Sequence, residues 1–116
     1  MSAPAPAEAP PDLNEVRLVG RVSGEPAERV LPSGDPIVTL RVVVRRRASP
    51  ARRNAAPVDT IDVACFSATT RRRAAALTAD TVVEVEGSLR RRFFRTAQGA
   101  ASRYEVEAAS VRRVKG

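Results

Sequence analysis

The sequence contains no histidine and no tryptophan, and Cys65 is its only cysteine. Without a histidine or a second cysteine, the chain cannot build an internal disulfide, a Cys/His zinc site or a Cys-His catalytic pair. We therefore predict that the protein is not an enzyme and holds no metal or other cofactor. Cys65 is predicted to be an ordinary core residue.

Long apolar runs are also missing, since no stretch approaches the roughly 18 residues that a membrane-spanning helix needs. The N-terminal segment MSAPAPAEAPPDLN has neither the basic region nor the apolar region of a secretion signal. We expect no membrane contact and a cytoplasmic, nucleoid-associated location. Residues 1–12 are mostly Ala and Pro, a composition that resists both helix and core formation, so we predict a disordered tail there.

Acidic residues are outnumbered, which gives a net charge of +7 and an isoelectric point near 11.3. Such a charge favours a polyanionic partner, and a nucleic acid is the first candidate. Lys115 is the only lysine among the 20 basic residues, and arginine suits bidentate phosphate contacts and stacking on bases. A GC-rich coding sequence is an equal explanation for the arginines, because Ala, Pro and Val are also abundant.

Alternating apolar and polar residues predict five β-strands within residues 13–116, which we interpret as one domain. The strands are expected within 15–23, 36–47, 58–66, 81–95 and 103–114. Residues 23–36 are expected to form a bend or hairpin with a short extended stretch around Arg29 to Leu31, and residues 48–57 a basic, mobile loop. One short helix is expected after Ser67, Thr69 or Thr70, any of which suits its N-cap. This order predicts an all-β, five-stranded OB-fold Greek-key barrel with a helix between strands 3 and 4.

Residue parity in the fourth strand places Phe94 on the side away from Val83 and Val85. Phe94 would then lie among arginines, as an aromatic that stacks on bases does. Alternatively, a bulge at Gly87 reverses the register and turns Phe94 inward and Phe93 outward. Phe66 likewise lies off the apolar side of its strand, either as a stacking residue or as a cover for the end of the barrel.

Three arginine clusters fall in the second strand, in the fourth strand and in the loop between the second and third strands. These elements can lie next to one another in an OB barrel. A solvated surface is the alternative for any one cluster. The acidic pairs Asp59 with Asp62 and Glu84 with Glu86 are interpreted as salt-bridge partners on strand surfaces, not as metal ligands. The predicted nucleic-acid-binding residues are Phe66, Phe94, Arg41, Arg45, Arg46, Arg47, Arg52, Arg53, Arg90, Arg92 and Arg95.

Several stretches, taken in order and spacing, resemble the bacterial single-stranded-DNA-binding protein family over residues 14–114. They are NEVRLVGRVSGEP, LPSGDPIVTLRV, VACF, VEVEGSLRRRFF and RYEVEA. The resemblance implies an OB fold, a homotetramer, and single-stranded DNA wrapped by aromatic stacking and basic grooves during replication, repair or recombination. It places Phe66 on a stacking Phe of the family and Phe94 on a stacking Trp.

Two further stacking Trp positions of the family fall near Arg46 and on Thr60. Arg46 retains a planar group that stacks on bases, whereas Thr60 does not. The family also carries an acidic, Phe-ending C-terminal tip that recruits other enzymes. This chain ends VRRVKG, so we expect that tip to be absent.

The leading hypothesis is therefore binding of single-stranded DNA without sequence specificity. An adaptor that kept the barrel, lost most of its DNA affinity and acts through a protein partner is the alternative, favoured by the missing tryptophans. RNA binding through the same face is a third reading.

Overall fold

The computed structural model describes residues 9–47 and 57–115, which form a closed five-stranded barrel with one helix. The elements are β1 (Val16–Val30), β2 (Pro36–Arg45), β3 (Val58–Cys65), α1 (Ala68–Ala75), β4 (Val82–Thr96) and β5 (Gly99–Arg113). Neighbouring strands follow the order β1-β2-β3-β5-β4, and only the contact between β3 and β5 is parallel. The predicted fold class is confirmed, including the position of the helix between β3 and β4.

The predicted end of the first strand is wrong, because β1 continues to Val30. Its pairing with β2 is interrupted between Ser23 and Ala27 and then resumes. The glycine and proline in this stretch thus mark a bulge inside a strand, not a bend after it. The true turn follows, where Gly34 donates its N–H to the Leu31 carbonyl at 2.8 Å.

The barrel interior is filled mainly by valines from all five strands. Every second residue of β2 and β3 faces inward, and Val42, Val63 and Cys65 are 0–1% exposed. Burial raises the pKa of the Cys65 thiol to about 11, although a hydrogen bond with Thr70 opposes the shift. Cys65 is therefore an inert core residue, as predicted.

Helix α1 closes one end of the barrel. Ser67 is its N-cap and accepts a hydrogen bond from the Thr70 N–H at 3.1 Å. Thr70, Ala74 and the following Leu77 are buried against the strands. The helix thus leaves the outer surface of the sheet open.

The side chain of Glu84 points outward from β4, but the residue is only 2% exposed. It accepts hydrogen bonds from Arg17 Nε at 2.5 Å and from Arg112 Nε at 2.6 Å. These bonds hold the pKa of Glu84 below its ordinary value. The predicted salt-bridge role is confirmed for this carboxylate.

Asp59 and Asp62 are also salt-bridge partners, of Arg46 and Arg41 respectively. Within the residues that the structure describes, no group of three or more His, Cys, Asp or Glu side chains converges as a metal site.

Candidate nucleic-acid interface

Phe66 and Phe94 line one cleft of about 690 Å³ on the outer surface of the barrel. Phe66 follows the last residue of β3, and Phe94 lies two residues before the end of β4. The cleft brings together aromatic rings that are 28 positions apart in the sequence. Its walls are completed by Arg29, Leu31, Pro32, Ile37, Arg92, Phe93, Arg95, Arg103 and Glu105.

The register of β4 keeps Phe94 on the outer face. A bulge does occur beside Gly87, but Glu86 pairs with Ser110 while Gly87 pairs with Ala108, so the extra residue is Ala109 on β5. The alternation along β4 is therefore unbroken, and Phe94 lies on the same side as Arg92. The alternative in which a bulge at Gly87 turns Phe94 inward is wrong.

Gly87 is nonetheless required for the close approach of the two strands. A Cβ atom at this position would lie 2.0 Å from the Glu107 carbonyl oxygen. The glycine thus permits the tight pairing at the bulge without itself being the inserted residue.

Each aromatic ring of the cleft is covered by a guanidinium group. The Arg92 Cζ lies 4.8 Å from the centre of the Phe66 ring, and the Arg103 Cζ lies 5.9 Å from the centre of the Phe94 ring. Both distances are within the range of cation–π contacts. Phe66 is consequently half-buried, whereas Phe94 remains 43% exposed.

Glu105 links the two ring–guanidinium pairs. Its carboxylate accepts a hydrogen bond from Arg92 Nε at 3.0 Å and lies 3.5 Å from Arg103 Nε, while the residue is only 4% exposed. Arg92 also donates from Nη2 to Glu107 at 2.7 Å. One buried carboxylate therefore fixes the planes of two guanidinium groups at the floor of the cleft.

The charge of Arg92 is held firmly in this arrangement. Burial alone would lower the pKa of Arg92, but the hydrogen bonds and the charges of Glu105 and Glu107 outweigh it, so the pKa is raised. Arg92 is thus permanently cationic but already satisfied by two carboxylates. Its planar surface is better placed for stacking than its N–H groups are for phosphate.

Two other predicted arginines of this face also have carboxylate partners. Arg41 lies 3.4 Å from Asp62, and Arg90 lies 3.6 Å from Glu107. Arg41 lines a second cleft of about 430 Å³, whose walls also include Arg29, Arg103 and Glu105. Since the two clefts share these three residues, they form a continuous surface.

The arginines at the end of β2 form a separate group. Arg46 donates two hydrogen bonds to Asp59, at 3.0 and 2.7 Å, and the pair raises the pKa of Arg46 and lowers that of Asp59. Arg45 and Arg47 are exposed and make no salt bridge within residues 9–47 and 57–115. This group is not part of the cleft lining.

The predicted site is therefore assembled in part. Phe66, Phe94, Arg92 and Arg95 line one cleft, and Arg41 lines the adjoining one. Arg52 and Arg53 lie outside the described residues, as do most of the predicted tail and of the predicted mobile loop.

Arg29, Arg103 and Glu105 were missed by the sequence analysis. Arg29 follows the bulge in β1, where the alternation is interrupted. Arg103 is paired across the strands with Arg92, and this proximity appears only once the β4–β5 register is known. Glu105 carried only a weak signal, because an acidic residue in a strand that also contains Arg103 and Glu107 predicts a salt bridge but not which arginine takes part in it.

A closed OB-type barrel with aromatic rings and arginines in one outer cleft is typical of nucleic-acid-binding proteins, since every nucleotide offers a stackable base and a phosphate. The model of the single-strand binding protein family matches residues 13–114. The chain therefore belongs to the single-strand binding protein family, and its function is to bind single-stranded DNA without enzymatic activity.

A comparison with solved structures supports the fold. The Plasmodium falciparum SSB in complex with ssDNA matches with a TM-score of 0.71 and 19% sequence identity, over 91% of this chain and 98% of that chain. No curated protein matches the sequence. None of the described helical segments is long and apolar enough to cross a membrane.

Proposed function

We propose that single-stranded DNA runs along the two joined clefts, with bases stacked beside Phe66 and Phe94 and phosphates bound by arginines. The observation that carries this proposal is the shared cleft of the two rings, each beside a guanidinium group. Stacking is tolerant of sequence because every base has a π-face. The binding would therefore be without sequence preference.

The arginines divide into two roles in this proposal. Arg92 and Arg103 extend the stacking surface, because their N–H groups face Glu105. Arg45, Arg47 and Arg95 bind phosphates, together with Arg41 and Arg90 when these leave their carboxylates. Arg52 and Arg53 belong to the same basic loop as Arg47 and are proposed as further phosphate contacts.

We also propose that residues 13–116 form the binding domain, that the chain assembles as a homo-oligomer, and that it acts in replication, repair or recombination. The family match over residues 13–114 supports the domain limits. Sedimentation velocity at micromolar concentration tests the assembly. A single species with the mass of one 12.5 kDa chain would contradict it.

Fluorescence anisotropy tests the DNA-binding mode. We expect labelled oligo-dT to bind more tightly than a duplex of equal length, with a log–log salt slope of about −0.7 for each phosphate contacted. Equal affinity for the duplex would contradict the proposal. An oligo-rU of the same length separates DNA from RNA binding.

Phe94→Ala tests the stacking. We expect the substitution to weaken dT binding by about 1–3 kcal/mol, most visibly at high salt where electrostatic attraction no longer masks the loss. Leu13→Ala is the matched control, because Leu13 is 78% exposed and precedes β1. Equal affinities of the two variants at every salt concentration would remove Phe94 from the site.

A further inference from the structure

A groove of about 590 Å³, which we call the helix groove, lies between α1 and the paired ends of β1 and β2. Its helix wall consists of Ala68, Arg71, Arg72 and Ala75, whose spacing of three and four residues places them on one face of α1. The groove therefore follows the whole length of this eight-residue helix, roughly 12 Å. An extended peptide segment of about four residues spans that distance.

The wall opposite the helix is aliphatic. Val30, the last residue of β1, is 71% exposed and pairs with the exposed Pro36 at the start of β2. Ile37 and Val38, the next two residues of β2, also line the groove and are buried. Val30 and Pro36 thus give the groove an open apolar surface that the side chains of a ligand can cover.

Three arginines that line the helix groove, Arg29, Arg71 and Arg72, have no salt-bridge partner in the described part of the chain. Arg71 donates from Nε to the Phe66 carbonyl at 3.0 Å, which holds its side chain in place. Arg72 is exposed. The one acid of the lining is Glu28, so three cations face one carboxylate. The groove is therefore complementary to an acidic ligand.

The lining favours a peptide over a nucleic acid. None of the described residues that line the groove is aromatic, so a base would find no ring on which to stack. A second copy of the chain is disfavoured by its own net charge of +7. A segment that alternates acidic and aliphatic side chains matches both walls, because its carboxylates meet the arginines of α1 while its apolar side chains cover Val30.

We propose that the helix groove binds a short acidic and aliphatic peptide segment of a partner protein. The groove shares Arg29 and Ile37 with the cleft that holds Phe66 and Phe94, so the partner would lie beside the bound DNA. This inference goes beyond the proposed function and does not depend on it, because the lining and its charge are present without DNA.

Fluorescence anisotropy of a labelled synthetic peptide tests the proposal on the DNA-free protein. In the probe, Asp or Glu alternates with Leu or Val, and in the control peptide each Leu and Val is replaced by Ser. We expect the probe to bind about tenfold more tightly than the control peptide at low salt, the effect of burying one aliphatic side chain. Equal affinities of the two peptides would overturn the proposal.

Arg72→Ala tests the charged wall, with Arg73→Ala as its matched control. Both substitutions remove one positive charge from adjacent positions of α1, but Arg72 lines the helix groove and Arg73 lines a different cavity. Arg72→Ala should weaken probe binding about twofold to fivefold, the range for one exposed ion pair, and Arg73→Ala should weaken it less. Equal affinities of the two variants would show attraction by net charge alone and would overturn the site.

Val30→Ser tests the aliphatic wall. Val30 is 71% exposed at the end of its strand, so the substitution spares the core. It should weaken binding of the probe about threefold to tenfold and leave binding of the Ser-containing control peptide unchanged. Equal unfolding temperatures of the variants verify that the fold is intact, and unchanged probe binding by an intact variant would contradict the proposal.

Oligo-dT binding by the same variants distinguishes a peptide site from a DNA site. Arg72→Ala and Arg73→Ala should have equal log–log salt slopes for oligo-dT. A slope reduced by about 0.7 for Arg72→Ala alone would show that the groove holds a phosphate, which would overturn the peptide site. Absence of oligo-dT binding together with probe binding that requires Arg72 and Val30 would contradict the proposed function and still support the peptide site.

Discussion

Replacement of Glu105 by Gln tests whether the cleft restrains its own cations. Glu105 is 4% exposed and its carboxylate lies 3.0 Å from Arg92 Nε and 3.5 Å from Arg103 Nε. Gln preserves the shape and one acceptor oxygen but removes the charge. Arg103 would then lose its carboxylate partner, and Arg92 would keep only Glu107, so we expect tighter binding of oligo-dT at low salt.

The magnitude follows from the number of phosphates gained. One or two additional contacts should steepen the log–log salt slope by about 0.7 to 1.4. Between 50 and 200 mM salt, a fourfold change, this steepening reduces the advantage of the variant by about threefold to sevenfold. Loss of the charged hydrogen bonds should lower the free energy of unfolding by about 1 kcal/mol.

The assay is fluorescence anisotropy of labelled oligo-dT at a series of salt concentrations. Glu86→Gln is the control for net charge, because Glu86 is exposed and lies away from both clefts, and its one salt bridge within the described residues is a 3.8 Å contact with Arg17. Weaker binding by the Glu105 variant, or a slope equal to that of the control, would refute the reasoning. The carboxylate would then serve to position the guanidinium groups on the rings, and not to withhold them from phosphate.

Three further predictions concern single residues. Arg45→Ala should reduce the salt slope by about 0.7, whereas Arg46→Ala should change it less because a carboxylate already neutralises Arg46; equal slopes by anisotropy would contradict this difference. The lowered pKa of Glu84 means that its contribution to stability is present above its ordinary pKa of 4.5 and is lost as the pH falls through its folded value. Urea denaturation should therefore show a smaller loss of stability below pH 4.5 for Glu84→Gln than for the unsubstituted protein, and parallel losses would contradict the role of this carboxylate. Gly87→Ala should lower the free energy of unfolding by about 1–3 kcal/mol through a clash with the β5 backbone, and an unchanged urea midpoint would show that the bulge relaxes to accept the methyl group.

The period-two pattern predicted the faces of the strands well because each face has a distinct environment. Residues of β2 illustrate this, since Leu40 and Val42 are buried, whereas Arg41 between them is exposed and lines the second cleft. The same pattern predicted the side on which Phe94 lies. It could not predict the exposure of Phe93, because parity states which way a side chain points and not whether another strand lies beneath it.

The length of β1 and the cleft partners depend on irregularities that alternation does not encode. A bulge between Ser23 and Ala27 extends β1 and brings Arg29 into the cleft. The extra residue Ala109 sets which carboxylates of β5 lie beside the arginines of β4. An alanine in a strand carries no signal for a bulge, so Glu105 could not be assigned to Arg92 before the register was known.

The net charge of the sequence consequently overstates the number of positive charges that are available to bind DNA. Of the predicted arginines that the structure describes, Arg41, Arg46, Arg90 and Arg92 each have a carboxylate within salt-bridge distance. A phosphate must displace that carboxylate or share the guanidinium with it, so each such contact gains less than one made by an unpaired arginine. The aromatic rings then carry a larger share of the affinity than the charge of the sequence indicates, and that share persists at high salt.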